Sequence, residues 1–226
     1  MKIAWFCIPA HGHTNPTLGL VKTLTEAGHQ IWYFSFEEFR EKIEKAGATF
    51  IGCDGYDFDM EDKFYGFVFQ DSDFSKWIEA VAYSLMNHKD EELEQIADEA
   101  IAEIAKNADE NGYFNSFYLC ANQDERFQHR SEHELYCAGH LLEAAIAYHE
   151  ATGKDAFLQA MMRYMDHIYD VFVVAQSASF VTPGHEEIEL ALIKLYDHTG
   201  VQKYLDLAEF FLEERGKHPD KDAEGV

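Results

Sequence analysis

The hydrophobic pattern of this 226-residue chain changes near residue 56, and that change restricts its fold more than any other feature of the sequence. Before this point, short apolar runs alternate with stretches of helical spacing. After it, nearly all apolar residues follow the three-to-four-residue spacing of an α-helix. We therefore predict two regions of different fold class, residues 1–56 and 64–215, joined by an acidic junction at residues 57–63.

The first region has the order of a parallel α/β unit. Pro16 near the start of its first predicted helix and Gly28 just past the end follow the usual asymmetry of helix ends. Strand, helix, strand, helix, strand is the opening of a doubly wound sheet, so we predict a partial Rossmann-like domain. The predicted strands are Ile3–Ile8, Gln30–Phe34 and Thr49–Ile51, and the second predicted helix is Glu37–Ala46.

The second region repeats itself. The turns Thr152–Gly153 and Thr199–Gly200 stand between apolar helical stretches at a constant offset of 47 residues, and a weaker copy has its turn at His88–Asp90. Repeated helical hairpins stack side by side into an α-solenoid or close into an α/α toroid. An open array exposes apolar helix faces, so we predict self-association. The polar stretch 216–226 is predicted to fray.

The net charge restricts the classes of binding partner that we expect, and the cysteine content indicates the cellular compartment. A net charge of −24 makes nucleic acid and anionic membranes poor partners, because both attract positive surfaces. No apolar stretch approaches the roughly 20 residues of a membrane helix, and no secretory signal is evident. The four cysteines form no C-x-x-C pair or dense framework, which favours free thiols in a reducing compartment and predicts a cytoplasmic protein.

Two long connections, Asp109–Glu132 and Val171–Gly184, separate the predicted hairpins and are rich in aromatic and polar residues. Loops between successive hairpins emerge at one end of such an array, where a binding face forms. Aromatic rings among acids and amides suit a sugar. The alternative is that these rings only seal the loops onto the helix ends.

The segment Glu132–His140 opens the second hairpin and contains His133, Cys137 and His140 on neighbouring turns. One thiolate and two imidazoles at this spacing can bind zinc, but a cysteine on an inward helix face usually acts as a small apolar residue. We predict no metal here. His185 opens the third hairpin as His133 opens the second, and each is followed by glutamate. Both imidazoles are therefore expected at one end of the array.

Two other sets of residues are candidates for catalytic groups. Glu134 and Glu186 can in principle form a carboxylate pair for glycoside cleavage, but the sequence does not fix their separation. His13 lies between the first strand and first helix, where α/β folds bind ligands and where an imidazole can act as a general base. The alternative is that His13 only caps the loop.

Residues 1 to about 54 resemble the opening of a GT-B glycosyltransferase of the macrolide and UDP-sugar type. The resemblance implies that His13 is the base for the acceptor and that the sugar donor is a nucleotide sugar. It covers about a quarter of the chain, and no second, sugar-nucleotide domain is recognised. The matching stretches are Pro9-Ala10-His11-Gly12-His13-Thr14-Asn15-Pro16 and Glu26-Ala27-Gly28-His29-Gln30-Ile31.

Residues 64–215 resemble the β-L-arabinofuranosidases of glycoside hydrolase family 127. The resemblance implies a partial (α/α)6 toroid, a carbohydrate partner of the arabinofuranoside type, and sugar contacts from His133 and His185. The matching stretches are Phe69–Asp73, Lys76–Ala80, Asn111–Asn115, His133–His140 and Pro183–Glu189.

In that family the cysteine nucleophile, the zinc ligands and the acid/base glutamate lie beyond the matched region, and Cys137 does not match the nucleophile. We therefore expect a glycoside hydrolase fragment that is inactive alone and holds no cofactor, with zinc expected only for the complete hydrolase. A sugar-binding or scaffold module and a glycosyltransferase-like protein are the alternatives.

Overall fold

The computed structural model describes residues 2–6, 11–52, 68–120 and 123–222, without the side chains of residues 4–6, 11–13 and 16. The chain divides into two compact units, Met1–Glu61 and Asp62–Val226. The predicted junction at residues 57–63 lies outside the described residues.

The first unit contains a three-stranded parallel sheet in the order β1-β2-β3. Its core includes Val21, Ile31, Tyr33 and Phe50, all buried. The predicted order and parallel pairing are confirmed, while the finer Rossmann-like assignment stays a prediction. The elements are β1 (Lys2–Phe6), α1 (His11–Glu26), β2 (Gln30–Ser35), a 3-10 turn (Glu37–Phe39), α2 (Arg40–Lys45) and β3 (Thr49–Gly52).

Helix α1 begins earlier than its sequence indicates. The prediction that Pro16 stands near its start is wrong, because the helix begins at His11 and Pro16 occupies the sixth position. Proline has no N–H for the carbonyl four residues earlier, so it usually marks the first turn, and here the helix continues through it. His13 therefore lies in the first turn of α1, and its side chain is outside the described residues.

The described part of the second unit contains three helical hairpins arranged in two layers. Helices α3, α6 and α8 pack in sequence, and α4, α7 and α9 form the second layer, with α7 against both α4 and α9. The hairpins and their turns confirm the prediction of an all-α region. The longer helices are α3 (Asp71–Asn87), α4 (Glu91–Asn107), α6 (Glu134–Thr152), α7 (Ala156–Tyr169), α8 (Ile188–Thr199) and α9 (Gln202–Glu214). The short helix α5 spans Ser116–Cys120, and a π-helical turn, Asp170–Val174, continues α7.

The 47-residue repeat is visible in the structure at the C-terminal ends of α6 and α8. Gly153 ends α6 with φ of 73°, and Gly200 ends α8 with φ of 70°. Each donates its N–H to the carbonyl four residues earlier, over 2.7 Å. Glycine suits this left-handed position because it has no Cβ. None of the described helices is long and apolar enough to cross a membrane.

The two long connections meet at the N-terminal ends of α6 and α8. Arg130 donates to the carbonyls of Thr182 and Pro183 over 2.8 and 3.0 Å. Phe127, Phe172 and Phe180 are all buried, so these rings seal the connections onto the helices and are not free to stack on a sugar. For these three rings, the structure supports the alternative interpretation that they only seal the loops onto the helix ends.

The polar C-terminal stretch is held in place as far as Asp222, which contradicts the predicted fraying for residues 216–222, while residues 223–226 lie outside the described residues. The Asp222 carboxylate is buried and accepts hydrogen bonds from the amides of Val181 and Thr182 and from the Thr182 hydroxyl. A buried carboxylate requires such donors, and composition alone does not reveal them. Several large apolar side chains of the second unit are exposed, including Leu190 and Leu212, and the predicted self-association stays a prediction.

Candidate functional site

Two glycines at the N-terminal ends of α6 and α8 allow the backbones to approach closely. A Cβ on Gly139 would lie 2.9 Å from Cγ of Glu187 and 3.0 Å from the backbone of Ile188. A Cβ on Gly184 would lie 2.8 Å from the carbonyl oxygen of Arg130. Because real Cβ atoms almost never approach so closely, glycine at these positions brings the start of α8 against the first turns of α6.

The start of α6 holds its first histidine in a strained conformation. His133 has φ of 63° and ψ of 21°, a left-handed backbone that non-glycine residues rarely adopt. Such strain persists only where surrounding contacts enforce it, and it often occurs at functional sites. Here the imidazole packs against Phe69, with ring centroids 5.2 Å apart.

His133 and His185 lie side by side, which agrees with the expectation that both imidazoles occupy one end of the array. Their ring centroids are 4.7 Å apart, and Tyr136 packs against both. Lys76 of α3 donates to the Tyr136 hydroxyl over 2.8 Å. Nδ1 of His133 is buried and has no hydrogen-bond partner within the described ranges. We call these four residues, His133, His185, Tyr136 and Lys76, the imidazole face.

The electrostatics of the imidazole face favour a neutral His133. Burial, followed by the neighbouring His185, lowers the pKa of His133. A neutral imidazole has one donor nitrogen and one acceptor nitrogen. The imidazole face can therefore both donate to and accept from an uncharged hydroxyl.

The strain at His133 predicts an unusual order of stability for two variants. Both His133→Gly and His133→Ala lose the imidazole, but only glycine adopts the left-handed conformation without steric cost. We expect the glycine variant to have a free energy of unfolding about 1 kcal/mol higher than the alanine variant. Chemical denaturation of the two proteins measures this difference. Equal stabilities would show that the backbone of His133 is not strained.

A second cluster, which the sequence did not reveal, lies about two turns beyond His133 along α6. Nδ1 of His140 is 3.1 Å from Oε1 of Glu187 and 3.6 Å from Oε2 of Glu143. The other Glu143 oxygen pairs with Lys194. Burial, followed by the neighbouring Glu143 carboxylate, raises the pKa of Glu187. The available signal was the three-residue spacing of His140 and Glu143 on a helix that faces the next hairpin.

Cys137 takes no part in either arrangement. Its thiol is buried, and burial raises its pKa. Within the described part of the chain, one group of three side chains can hold a metal ion, and it consists of His140, Glu143 and Glu187. Cys137 therefore acts as a small apolar residue, as the second of the two sequence interpretations proposed.

Glu134 and Glu186 do not form a catalytic pair. The Glu134 carboxylate is buried and accepts from the Tyr113 hydroxyl over 2.5 Å and from the Phe127 amide over 2.6 Å. Burial raises its pKa to about 7. Glu186 is exposed and pairs with Arg215 over 3.1 Å. Glu134 therefore fastens the first long connection to α6, and Glu186 forms an exposed ion pair.

Comparison with known proteins gives an extensive family match. Residues 23–225 match the family described as "Beta-L-arabinofuranosidase, GH127 catalytic domain". The non-reducing end beta-L-arabinofuranosidase of Bifidobacterium longum subsp. longum is 37% identical over 166 residues, which are 71% of this chain and 25% of that protein.

Solved structures agree with this match. Ara127N-Se, a GH127 beta-L-arabinofuranosidase from Geobacillus stearothermophilus T6, has a TM-score of 0.69 and 46% identity over 73% of this chain and 26% of its own. Another GH127 beta-arabinofuranosidase has a TM-score of 0.64 and 34% identity over 70% of this chain and 26% of its own. The chain thus spans about a quarter of the length of these relatives.

Similarity to glycosyltransferases is short and local. The NDP-glycosyltransferase YjiC of Bacillus subtilis is 49% identical over 46 residues, which are 20% of this chain and 12% of that protein. The comparisons therefore favour the glycoside hydrolase interpretation over the glycosyltransferase one.

Proposed function

The chain belongs to the β-L-arabinofuranosidase family GH127, and from that premise we propose that its helical unit binds an L-arabinofuranoside through His133 and His185. The observation that carries the proposal is the imidazole pair, whose ring centroids lie 4.7 Å apart at the N-terminal ends of two adjacent hairpins. The relatives named above are arabinofuranosidases, which gives the class of sugar.

The chemistry of the imidazole face suits a furanoside. His133 is partly exposed and His185 is exposed, so sugar hydroxyls can hydrogen-bond to imidazole nitrogens other than the buried Nδ1 of His133. Two imidazoles 4.7 Å apart can reach neighbouring hydroxyls of one ring. The Lys76 ammonium adds a donor beside Tyr136.

We further propose that this chain alone hydrolyses glycosides slowly or not at all. The thiolate nucleophile and thiolate-bound zinc that the family resemblance implies do not fit the described residues, because Cys137 is buried with a raised pKa and the metal-capable group there contains no cysteine. No catalytic step is therefore assigned to Cys137. Binding of the sugar does not require that chemistry.

Titration with methyl β-L-arabinofuranoside, followed through the histidine NMR signals, tests the binding proposal. We expect saturable shifts of the His133 and His185 signals. We expect His185→Ala to weaken binding by about five- to tenfold, since a lost hydrogen bond costs roughly 1–1.5 kcal/mol. His88→Ala, in the exposed turn between α3 and α4, is the matched control and should bind normally.

Two outcomes would contradict the proposals. Histidine signals that do not respond to the sugar would remove the binding proposal. Zinc-dependent release of arabinose that is lost in Cys137→Ser would refute the proposed lack of hydrolysis.

A further inference from the structure

We propose that His140, Glu143 and Glu187 bind a divalent transition-metal ion between α6 and the start of α8. One ligand atom from each of these side chains lies within 4.8 Å of the other two. The inference rests on this geometry and not on the proposed sugar site.

The separations between the ligand atoms suit one shared ion. Nδ1 of His140 lies 3.1 Å from the nearest Glu187 oxygen and 3.6 Å from the nearest Glu143 oxygen. Two ligands that each lie about 2.1 Å from zinc at a tetrahedral angle are about 3.4 Å apart. Small side-chain adjustments therefore place all three atoms at bonding distance from a single ion.

Two of the ligand atoms lack the hydrogen bonds that their burial requires. Nδ1 of His140 and Oε1 of Glu187 are both buried, and neither atom meets hydrogen-bond geometry with another described residue, although both side chains interact with Glu143. They approach to 3.1 Å without hydrogen-bond geometry. Buried polar atoms in folded proteins are nearly always paired, so a missing ligand is a natural explanation for two orphans that face each other.

The surroundings hold the third ligand in position. The Glu143 side chain is only 8% exposed, and one of its oxygens pairs with Lys194, which leaves the other directed towards His140. Ligating carboxylates are commonly fixed by such outer contacts. On the other side, Gly139 permits the close approach that brings Glu187 to His140.

The donor set selects the class of ion. One imidazole nitrogen and two carboxylate oxygens suit zinc and the related transition ions, whereas calcium and magnesium prefer oxygen ligands throughout. Three protein ligands also leave a coordination position for water or another ligand.

Equilibrium dialysis of the whole chain against Zn²⁺ tests the site, and Co²⁺ absorption reports its coordination. We expect one ion per chain bound at this site and visible Co²⁺ bands of a low-coordinate nitrogen and oxygen site. Glu187→Gln and His140→Asn should each weaken binding at least about tenfold. Glu186→Gln removes the adjacent exposed carboxylate and should leave binding unchanged, and circular dichroism verifies that each variant is folded.

Other histidine pairs provide the decisive controls. His149 and His198 lie with ring nitrogens 3.1 Å apart, and His133 and His185 lie side by side. Zinc binding that survives in His198→Gln and His185→Gln but weakens in Glu187→Gln supports the proposal. Absence of binding, or binding lost in either histidine variant and retained in Glu187→Gln, overturns it.

Discussion

Replacement of Gly112 by alanine is expected to lower the free energy of unfolding of the helical unit by about 2–4 kcal/mol. The backbone of Gly112 has φ of 81°, which costs an alanine about 1 kcal/mol. A Cβ there would also lie 2.7 Å from the amide nitrogen of Tyr164 and 2.8 Å from the carbonyl oxygen of Ala160. Because both atoms belong to the backbone of α7, they cannot move aside, and overpacking of this kind costs a further 1–3 kcal/mol or so.

Gly153→Ala is the control that separates the cost of the left-handed backbone from the cost of the close contact. Gly153 is also left-handed, with φ of 73°, but nothing lies within 4 Å of the position that a Cβ would take there. Its replacement should cost about 1 kcal/mol, through the backbone alone. Urea denaturation of both variants measures the difference. If Gly112→Ala costs no more than Gly153→Ala, the close contact between the first long connection and α7 does not exist.

The second large effect concerns the buried carboxyl group of Glu134. Its pKa is raised from 4.5 to about 7, chiefly by burial, so between these values the folded protein holds a proton that the unfolded chain has lost. The stability contributed by this proton is complete below pH 4.5 and declines as the pH rises through about 7. Over that interval the loss amounts to about 3 kcal/mol.

Glu134→Gln isolates this contribution because glutamine resembles the protonated acid. Its carbonyl can accept from the Phe127 amide, and its NH₂ can donate to the Tyr113 oxygen. We expect the variant and the original protein to unfold at similar denaturant concentrations at pH 4.5. At pH 8 the variant should be more stable by about 3 kcal/mol. Parallel stability curves over this range would contradict a carboxyl group protonated through burial.

The sequence predicted the features that depend on local periodicity. The hairpin turns at Thr152–Gly153 and Thr199–Gly200 are evident because an offset of 47 residues survives both helices. The placement of His133 and His185 at one end of the array followed from their equivalent positions at two helix starts, whereas the contact between their rings did not. Helix α1 was misplaced because a proline inside a helix resembles one at its beginning.

Features that depend on contacts between hairpins could not be predicted from the sequence. His140 and Glu187 belong to different hairpins, and their contact depends on a close approach allowed by Gly139. The burial of Phe127 and Phe172 depends on how two long connections fold against each other. Asp222 likewise has no sequence signal for its partners in the loop at Thr182.

Helix α6 is apolar on nearly all sides and packs against α3, α7 and α8. No hairpin of the unit can detach without exposing part of this shared surface to water. The free energy of local opening near α6 is therefore high. The backbone amides at the centre of α6 should exchange with deuterium only when the whole unit unfolds. We therefore expect the three hairpins to unfold as one cooperative unit despite the repetition in their sequence.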